Sequence, residues 1–297
     1  MQYSLAEREI VATYSIVGFD PETGELGIAV QSKFLSVGSV VPWAKANVGA
    51  IATQAGANTT FGPKGLQLLE EGFHPEEIVE ILLKHDSERD TRQFAIIDAK
   101  GNIAAYTGKE CFDWAGHIIG ENCSAQGNIL VGQETVEAMV HSFESTNGSL
   151  SERLIQALED GQKAGGDSRG KQSAALYVVK EKGGYRGYND RMFDLRVDDH
   201  PEPIVELKRI YNLHQLYFPR SSEPTLVPIE GNLLYEIQDI LHEIGLLKAG
   251  IDDEYNDNVK TALRRFFHKE NFEEKWRDDN LIDLNVLTYL KKQVTVS

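Results

Sequence analysis

The chain of 297 residues is poor in cysteine, in long apolar runs and in positive charge, and each shortage excludes a class of protein. Its two cysteines, Cys111 and Cys123, are too few for a disulfide framework and lack metal-ligand spacing, so we expect buried free thiols. No apolar run approaches the roughly 20 residues that a membrane-spanning helix needs. A net charge of −16 argues against nucleic acid and anionic membranes as partners, because both attract clustered Lys and Arg.

Export signals and metal motifs are also missing. The start of the chain carries Glu7, Arg8 and Glu9 where a secretion signal would be apolar, so the sequence predicts a cytoplasmic protein. The eight histidines show no HxxxH or HxH spacing, which argues against a zinc site. The acidic stretch 252–258 lacks the glycine and the final glutamate of a calcium loop. We therefore expect no metal and no other cofactor.

What the chain does have is a regular succession of strands and helices up to residue 217. Apolar segments bounded by turn residues predict strands at 12–17, 25–32, 49–53, 93–98, 103–107, 172–180 and 192–197. Helical spacing predicts helices at 62–72, from 75 onwards, and at 134–144, 150–164 and 201–217. Strands joined by tight turns pair antiparallel, so this order favours a four-layer α-β-β-α sandwich of the α+β class.

A linker and a small helical domain follow. Three prolines within residues 219–228, without helical spacing, predict a linker at 219–230. Helical spacing returns at 231–244, 255–267 and 283–292. The apolar positions of these segments predict a three-helix bundle with a core of Leu234, Ile237, Ile240, Leu241, Ala262 and Phe266. The sequence thus predicts two domains, 1–218 and 231–297.

Small and polar residues crowd at the predicted strand ends, where functional groups could converge. They form five groups, at residues 13 and 15, 31–33, 53–60, 125–128 and 165–173. The turn at 53–60 joins a buried strand to a helix and offers backbone N–H groups that suit an oxyanion. A tight turn capped by Asn58 or Thr59 is the alternative. For Asp167 and Arg169 the alternative is an ion pair that only stabilises their own turn.

Two segments carry a resemblance to a known family. The segment TYSIVGFDPETGELGIAVQSKFLSVGSVVPWAKANVGAIATQAGAN and the later AGGDSRGKQSAAL resemble the bacterial and archaeal family called domain of unknown function 1028. The likeness covers about residues 12–197, and that family is similar in fold to the N-terminal-nucleophile hydrolases. The resemblance implies an amidohydrolase that cleaves a C–N bond in a small-molecule substrate.

The same resemblance implies roles for individual residues. Thr13 would be the nucleophile with its own α-amine as base, Lys45 its electrostatic partner, and Asp167 a supporting carboxylate. The backbone at 55–58 would form the oxyanion hole. The residues expected to bind substrate are Ser32, Lys33, Gln54, Gly56, Asn58, Gly127, Asn128 and Arg169. Twelve residues precede Thr13, so a non-catalytic ligand-binding or scaffold protein that kept the fold is the alternative.

The end of the chain resembles a different module. GNLLYEIQDILHEIGLLKAGIDDEYNDNVKTALRRFFHKENFEEKW is similar to a peptidoglycan-binding domain, with a Gly-Leu-Leu-x-x-Gly type of turn between its helices. Because the sequence predicts no export signal, we expect this domain to dock partners or to stabilise a homo-oligomer rather than to bind cell wall.

Overall fold

The structure, a computed structural model, describes residues 11, 13–218, 224–248, 250–251 and 253–294. Two compact units are present, Met1–Ile210 and Tyr211–Ser297. The predictions made for residues 1–10, for the first residue of the strand at 12–17, for the linker segment 219–223 and for residue 252 lie outside the described residues.

The chain is a mixed α/β protein, with eight α-helices and three antiparallel sheets in its described residues. The strands are β1 (Thr13–Asp20), β2 (Glu25–Ser32), β3 (Pro42–Lys45), β4 (Gly49–Ala55), β5 (Arg92–Asp98), β6 (Ile103–Thr107), β7 (Gly116–Gly120), β8 (Cys123–Gly127), β9 (Ser173–Val179), β10 (Arg191–Val197), β11 (Leu226–Pro228) and β12 (Leu281–Asp283). The helices are α1 (Phe61–Glu70), α2 (Pro75–Leu83), α3 (Glu134–Ser145), α4 (Leu150–Lys163), α5 (Pro203–Tyr217), α6 (Gly231–Glu243), α7 (Asp257–Lys269) and α8 (Leu284–Lys292).

A six-stranded sheet with the order β10-β9-β2-β1-β8-β7 dominates the first unit. Its centre is the hairpin of β1 and β2, which pair along their whole length, from Thr13 opposite Ser32 to Asp20 opposite Glu25. The turn forms because the Asp20 carboxylate accepts hydrogen bonds from the next backbone N–H groups, and Gly24 takes a left-handed φ of 72°. The predicted hairpin at this position is confirmed.

The second sheet of this unit, ordered β3-β4-β5-β6, faces the first. Apolar side chains of both sheets share one buried cluster, in which Val17, Ile28 and Val30 of the first sheet meet Ala50 and Ile97 of the second. Alternation along each strand therefore decides which residues lie between the sheets and which face the helices. In β1 the odd-numbered residues lie between the sheets, and the same alternation governs the candidate site.

Helices cover the outer faces of both sheets. Glycines at the cross-strand pair Gly18 and Gly27 let α3 and α4 approach closely, since a Cβ on Gly18 would lie 2.9 Å from the Phe143 ring and one on Gly27 2.7 Å from Leu154. On the other sheet, α1 and α2 pack over a cluster that includes Ile51. Gly18 and Gly27 thus have a packing role that their strand positions alone do not reveal.

The second unit is built on α6, α7 and α8, and its start is tied to its end by the short pair β11 and β12. The Asn256 side chain caps α7 by accepting hydrogen bonds from the next backbone N–H groups, and Asp283 does the same for α8. All six residues predicted for the core of this domain are buried in a single cluster, which confirms that prediction. Strand β11 falls inside the segment predicted as a linker.

Both cysteines are free thiols, Cys111 half-buried and Cys123 buried. Burial raises the pKa of Cys111 to about 11 and that of Cys123 to about 12, which leaves both protonated at neutral pH. Across the part of the chain that the structure describes, no helix has both the length and the apolar character needed to cross a bilayer.

Candidate functional site

The five polar groups meet at one edge of the first unit, where β1 begins. Thr13 starts β1 opposite Ser32, the last residue of β2. The backbone N–H of Asn128, just after β8, donates to the Thr13 carbonyl over 3.0 Å, and Gln54 Nε2 of the second sheet donates to the same oxygen over 3.3 Å. The loop at 165–173 joins this edge through Asp167, whose carboxylate accepts from the Lys33 N–H over 3.1 Å.

Thr13 occupies the centre of this edge and is fully buried. Its side chain lies between the sheets, because Ser15, two residues further along β1, bonds across to Gln54 of the second sheet. Among the described residues, the Thr13 hydroxyl oxygen has no hydrogen-bond partner. A buried hydroxyl without a partner costs about 1–3 kcal/mol of folding free energy, so this group does not stabilise the fold.

A network of buried amides lies beside Thr13. Gln93 Nε2 donates to two backbone carbonyls, that of Gly116 over 3.1 Å and that of Gly127 over 2.7 Å. Since a carbonyl cannot act as a donor, the orientation of the Gln93 amide is fixed. Its Oε1 therefore accepts, over 2.9 Å in each case, from Gln54 Nε2 and from Asn128 Nδ2.

The orientation of the remaining groups follows from this one. Gln54 Oε1 accepts from the Ser15 hydroxyl over 2.6 Å, and the Ser15 oxygen accepts from Gln126 Nε2 over 2.7 Å. The Ser124 hydroxyl completes this series of hydrogen bonds by donating to Gln126 Oε1 over 3.1 Å. These six residues, Ser15, Gln54, Gln93, Ser124, Gln126 and Asn128, are buried and uncharged, so they are held together by hydrogen bonds alone.

Asn128 is the one amide of this network with an unused atom. Its Nδ2 is committed to Gln93, which leaves Oδ1 as an acceptor that no described residue approaches. Asn128 continues the pairing of β8 with β1, in which Tyr14 lies opposite Gly127, so it stands beside Thr13 on the same face. Two buried polar atoms without partners thus share one end of the space between the sheets.

The turn after β4 passes directly over this edge. Ala55 has a left-handed φ of 63°, a conformation that costs a residue with a side chain about 1–2 kcal/mol. Gly56 follows, where an added Cβ would lie 2.6 Å from Thr91 Oγ1. Val11 pairs with Ala55 through two backbone hydrogen bonds of 2.9 and 3.0 Å, so the chain contacts the second sheet at Val11 and enters the first at Thr13.

This pairing bears on the oxyanion hole predicted at 55–58. The Gly56 N–H donates to the Thr91 carbonyl and the Ala57 N–H to the Ala55 carbonyl, so the fold itself uses both groups. Ala55 differs, because its N–H donates to Val11, which precedes Thr13. Removal of the segment before Thr13 would release the Ala55 N–H as a donor.

A charged cluster holds the turn from outside. The Arg92 guanidinium is almost buried, bonds the Gly56 carbonyl and forms a two-point ion pair with Asp86, over 2.7 and 3.1 Å. The hydrogen bond from Arg92 holds the pKa of Asp86 below its usual value, in spite of burial. Asn58, expected to bind substrate, accepts hydrogen bonds from the N–H and hydroxyl of Thr60 through Oδ1.

Asp167 and Arg169 form the pair that was one of the two predictions for their turn. Arg169 Nε and its second guanidinium nitrogen donate to the two Asp167 oxygens over 3.1 and 2.9 Å. The carboxylate also accepts from the backbone N–H of Arg169 and of Lys33. Asp167 therefore joins its loop to the end of β2, while the Lys33 ammonium lies at the surface and bonds the Lys171 carbonyl.

Lys45, predicted as the electrostatic partner of Thr13, is not at this edge. It pairs with Gly49 at the opposite end of β4 from Ala55, and six residues of strand span about 20 Å. Its ammonium is exposed and forms an ion pair with Glu70 of α1. The spacing along the sequence matched the family pattern, but the strand that carries Lys45 runs away from Thr13.

The sequence did not single out four residues of the network, Gln93, Thr107, His117 and Ser124. Gln93 Nε2 donates to the Thr107 hydroxyl over 3.0 Å, which in turn lies 2.9 Å from His117 Nδ1. Burial lowers the pKa of His117, which favours the neutral imidazole. A signal for Gln93 did exist, because alternation in β5 places it on the same face as the buried Ala95 and Ile97.

No group of three or more His, Cys, Asp or Glu side chains within the described ranges could hold a metal ion. The strands also position Ser32 and Gly127, two further residues expected at the site. Ser32 and Ser173 are buried opposite each other, and the Ser173 hydroxyl donates to the Phe34 carbonyl. The Gly127 carbonyl is one of the fixed acceptors of Gln93.

Comparison with known proteins gives two family matches. Residues 13–207 match the family described as "Family of unknown function (DUF1028)". Residues 217–290 match the family described as "Putative peptidoglycan binding domain". None of the curated proteins is similar enough to count as a match.

Two solved structures place these matches in context. The DUF1028 protein SPO2555 from Silicibacter pomeroyi is 34% identical in sequence, with a TM-score of 0.63 over 69% of this chain and 89% of its own. Anbu (ancestral beta-subunit) from Yersinia bercovieri is 9% identical, with a TM-score of 0.33 over 71% of this chain and 99% of its own. The second likeness is too slight to support a conclusion.

Proposed function

The chain belongs to the DUF1028 family, and from this premise we propose that it is an amidohydrolase of the N-terminal-nucleophile type, with Thr13 as its nucleophile. The layer order supports the proposal, because two facing antiparallel sheets carry helix pairs on their outer faces, as an α-β-β-α sandwich requires. The substrate would be a small molecule that contains an amide C–N bond.

The observation that carries the proposal is the hydroxyl of Thr13. It is buried at the first position of β1 and has no partner among the described residues, although polar groups crowd around it. Buried polar groups that are kept without a partner, at a cost to stability, often have a functional role. Ala55, with its strained backbone, lies on the segment next to it.

The chemistry requires that the peptide bond before Thr13 be hydrolysed, which gives Thr13 a free α-amine. Thr13 Oγ1 would then attack the substrate carbonyl carbon and pass its proton to that amine. The Ala55 N–H, released from Val11, would donate to the oxyanion that forms. The C–N bond breaks as the amine returns the proton to the leaving nitrogen, and water hydrolyses the ester left on Thr13.

The second candidate is a non-catalytic ligand-binding protein, and the Val11–Ala55 pairing favours it. In the unprocessed chain this pairing occupies the Ala55 N–H, and Thr13 has no α-amine. The two free cysteines support a reducing, cytoplasmic location for either candidate. Assembly into a homo-oligomer through the second unit, in place of cell-wall binding, also belongs to this proposal.

Intact-mass spectrometry of the purified chain tests the nucleophile without knowledge of the substrate. We expect wild-type protein to begin at Thr13, and Thr13→Ala to retain residues 1–12 because it lacks the attacking hydroxyl. Thr23→Ala is the matched control, since it removes a hydroxyl from an exposed turn of the same unit. An uncleaved wild-type chain, or cleavage that persists in Thr13→Ala, would contradict the catalytic proposal and favour the binding protein.

A further inference from the structure

The end of the space between the sheets contains a buried amide oxygen, Asn128 Oδ1, that accepts no hydrogen bond from the described residues. Its identity as an oxygen does not depend on a choice of amide orientation. Backbone carbonyls fix Gln93 Nε2, Gln93 Oε1 then requires a donor from Asn128, and Asn128 Nδ2 supplies it. The opposite orientation would set two oxygens against each other over 2.9 Å.

The position of Asn128 relative to Thr13 follows from the strand pairing. The Asn128 N–H donates to the Thr13 carbonyl over 3.0 Å, and the pair continues the register of β1 with β8. Side chains in such cross-strand positions have Cβ atoms about 4.5–5.5 Å apart. Both side chains are fully buried, yet no hydrogen bond joins the Thr13 hydroxyl to Asn128 Oδ1. A polar group bound at this place could form hydrogen bonds with both atoms.

The chemistry of the neighbouring atoms restricts what that group can be. Gln54 Nε2 lies within hydrogen-bond distance of three acceptors, the Thr13 carbonyl, Gln93 Oε1 and the Gln126 carbonyl, and has only two hydrogens to share. Gln93 Nε2 likewise faces the Thr107 hydroxyl and two carbonyls. The surroundings of Asn128 are therefore rich in acceptors and short of donors.

We infer that Asn128 Oδ1 accepts a hydrogen bond from the substrate's amide nitrogen, and that the site takes primary amides in preference to esters and fully substituted amides. This inference rests on the proposed function, because it places the substrate carbonyl carbon against Thr13 Oγ1 and its –NH₂ against Asn128. An ester oxygen or a tertiary amide nitrogen carries no hydrogen and would leave the acceptor unpaired. A site built to bind an N–H group discriminates strongly against analogues without it.

A binding experiment tests the inference with two amide probes, of which only the first carries N–H groups; the Asn128 variant below controls for their difference in size. Acetamide and N,N-dimethylacetamide would be titrated into the full purified chain, with ligand-observed NMR to determine the two dissociation constants. We expect acetamide to bind at least about tenfold more tightly, the scale of one buried hydrogen bond. Equal affinity for the two probes, or no saturable binding of acetamide, would overturn the inference.

Two variants separate this inference from the nucleophile proposal. Thr13→Val removes the hydroxyl and any turnover but keeps the acceptor, so we expect the preference for acetamide to persist. Asn128→Leu removes the acceptor and should reduce the preference to less than about twofold; if it does not fold, Asn128→Ala replaces it. A preference that survives the loss of Asn128 would overturn the inference. Uncleaved wild-type protein that still prefers acetamide would instead count against the nucleophile alone.

Discussion

Two buried glutamines should respond to the same substitution with opposite sign. Gln31 of β2 and Gln93 of β5 are both fully buried, and methionine is an unbranched side chain of nearly the same volume as glutamine. Neither amide atom of Gln31 has a partner among the described residues, whereas both amide atoms of Gln93 are at the centre of the network. We expect Gln31→Met to stabilise the first unit and Gln93→Met to destabilise it.

The contacts of each side chain give the magnitudes. Gln31→Met removes an amide that is desolvated without compensation, which should raise the free energy of unfolding by about 1–3 kcal/mol. Gln93→Met leaves Asn128 Nδ2 without the acceptor that holds it, at about 1–3 kcal/mol, and it also removes the bonds to the Gly116 and Gly127 carbonyls. Each such bond contributes about 0.5–1.5 kcal/mol, so the total loss should be about 2–6 kcal/mol.

Urea denaturation followed by tryptophan fluorescence measures both effects. A Trp276→Phe background leaves Trp43 and Trp114 as the reporters, and both belong to the first unit. The shift in midpoint multiplied by the common m-value gives each change in free energy. A loss of stability in Gln31→Met would mean that its amide has partners after all, and the reasoning from unpaired atoms would fail, with the argument about Asn128 weakened in turn.

Two further predictions concern groups whose pKa the fold shifts. Because burial lowers the pKa of His117 in the folded chain, stability that is complete above about pH 6.5 should decline as the pH falls toward the folded-state value. His117→Gln should flatten the unfolding free energy between pH 7 and pH 5, and parallel curves for the two proteins would contradict this. Cys111 and Cys123, with pKa values raised to about 11 and about 12, should react with iodoacetamide at pH 8 much more slowly in the folded chain than in urea. Intact mass over time measures this, and equal rates would refute it.

Local patterns predicted most of the secondary structure, and one strand that they missed, β8, has a clear physical cause. The hairpin of β1 and β2 was predictable because its strands are apolar and its turn has Asp and Gly where a turn needs them. Strand β8, with the sequence CSAQG, is central to the larger sheet but contains little apolar surface. Its Ser124 and Gln126 are buried in the amide network instead of an apolar core, so hydrophobic periodicity does not detect them.

The sequence predicted where the candidate site lies, at the ends of several strands, but it did not predict the role of each residue there. Thr13, Gln54, Asn128 and Asp167 came from polar clusters at the ends of strands, and the sheets do bring those ends together. Lys45 was carried over by spacing alone, and spacing does not specify the direction in which a strand leaves the site. Which atom of Asn128 remains unpaired depends on Gln93 and on the carbonyls that orient it, and no local pattern contains these partners.

The network around Thr13 consists of amides, hydroxyls and backbone carbonyls, and within the described residues it reaches a titratable group only at its outer end, in His117. Neutral dipoles in a buried layer are not screened by dissolved ions as exposed charges are. The spatial arrangement of this network should therefore be the same in dilute buffer and in concentrated salt. Any dependence of a future activity on ionic strength would then report on the ion pairs around the network or on how the substrate reaches the site, and not on the network itself.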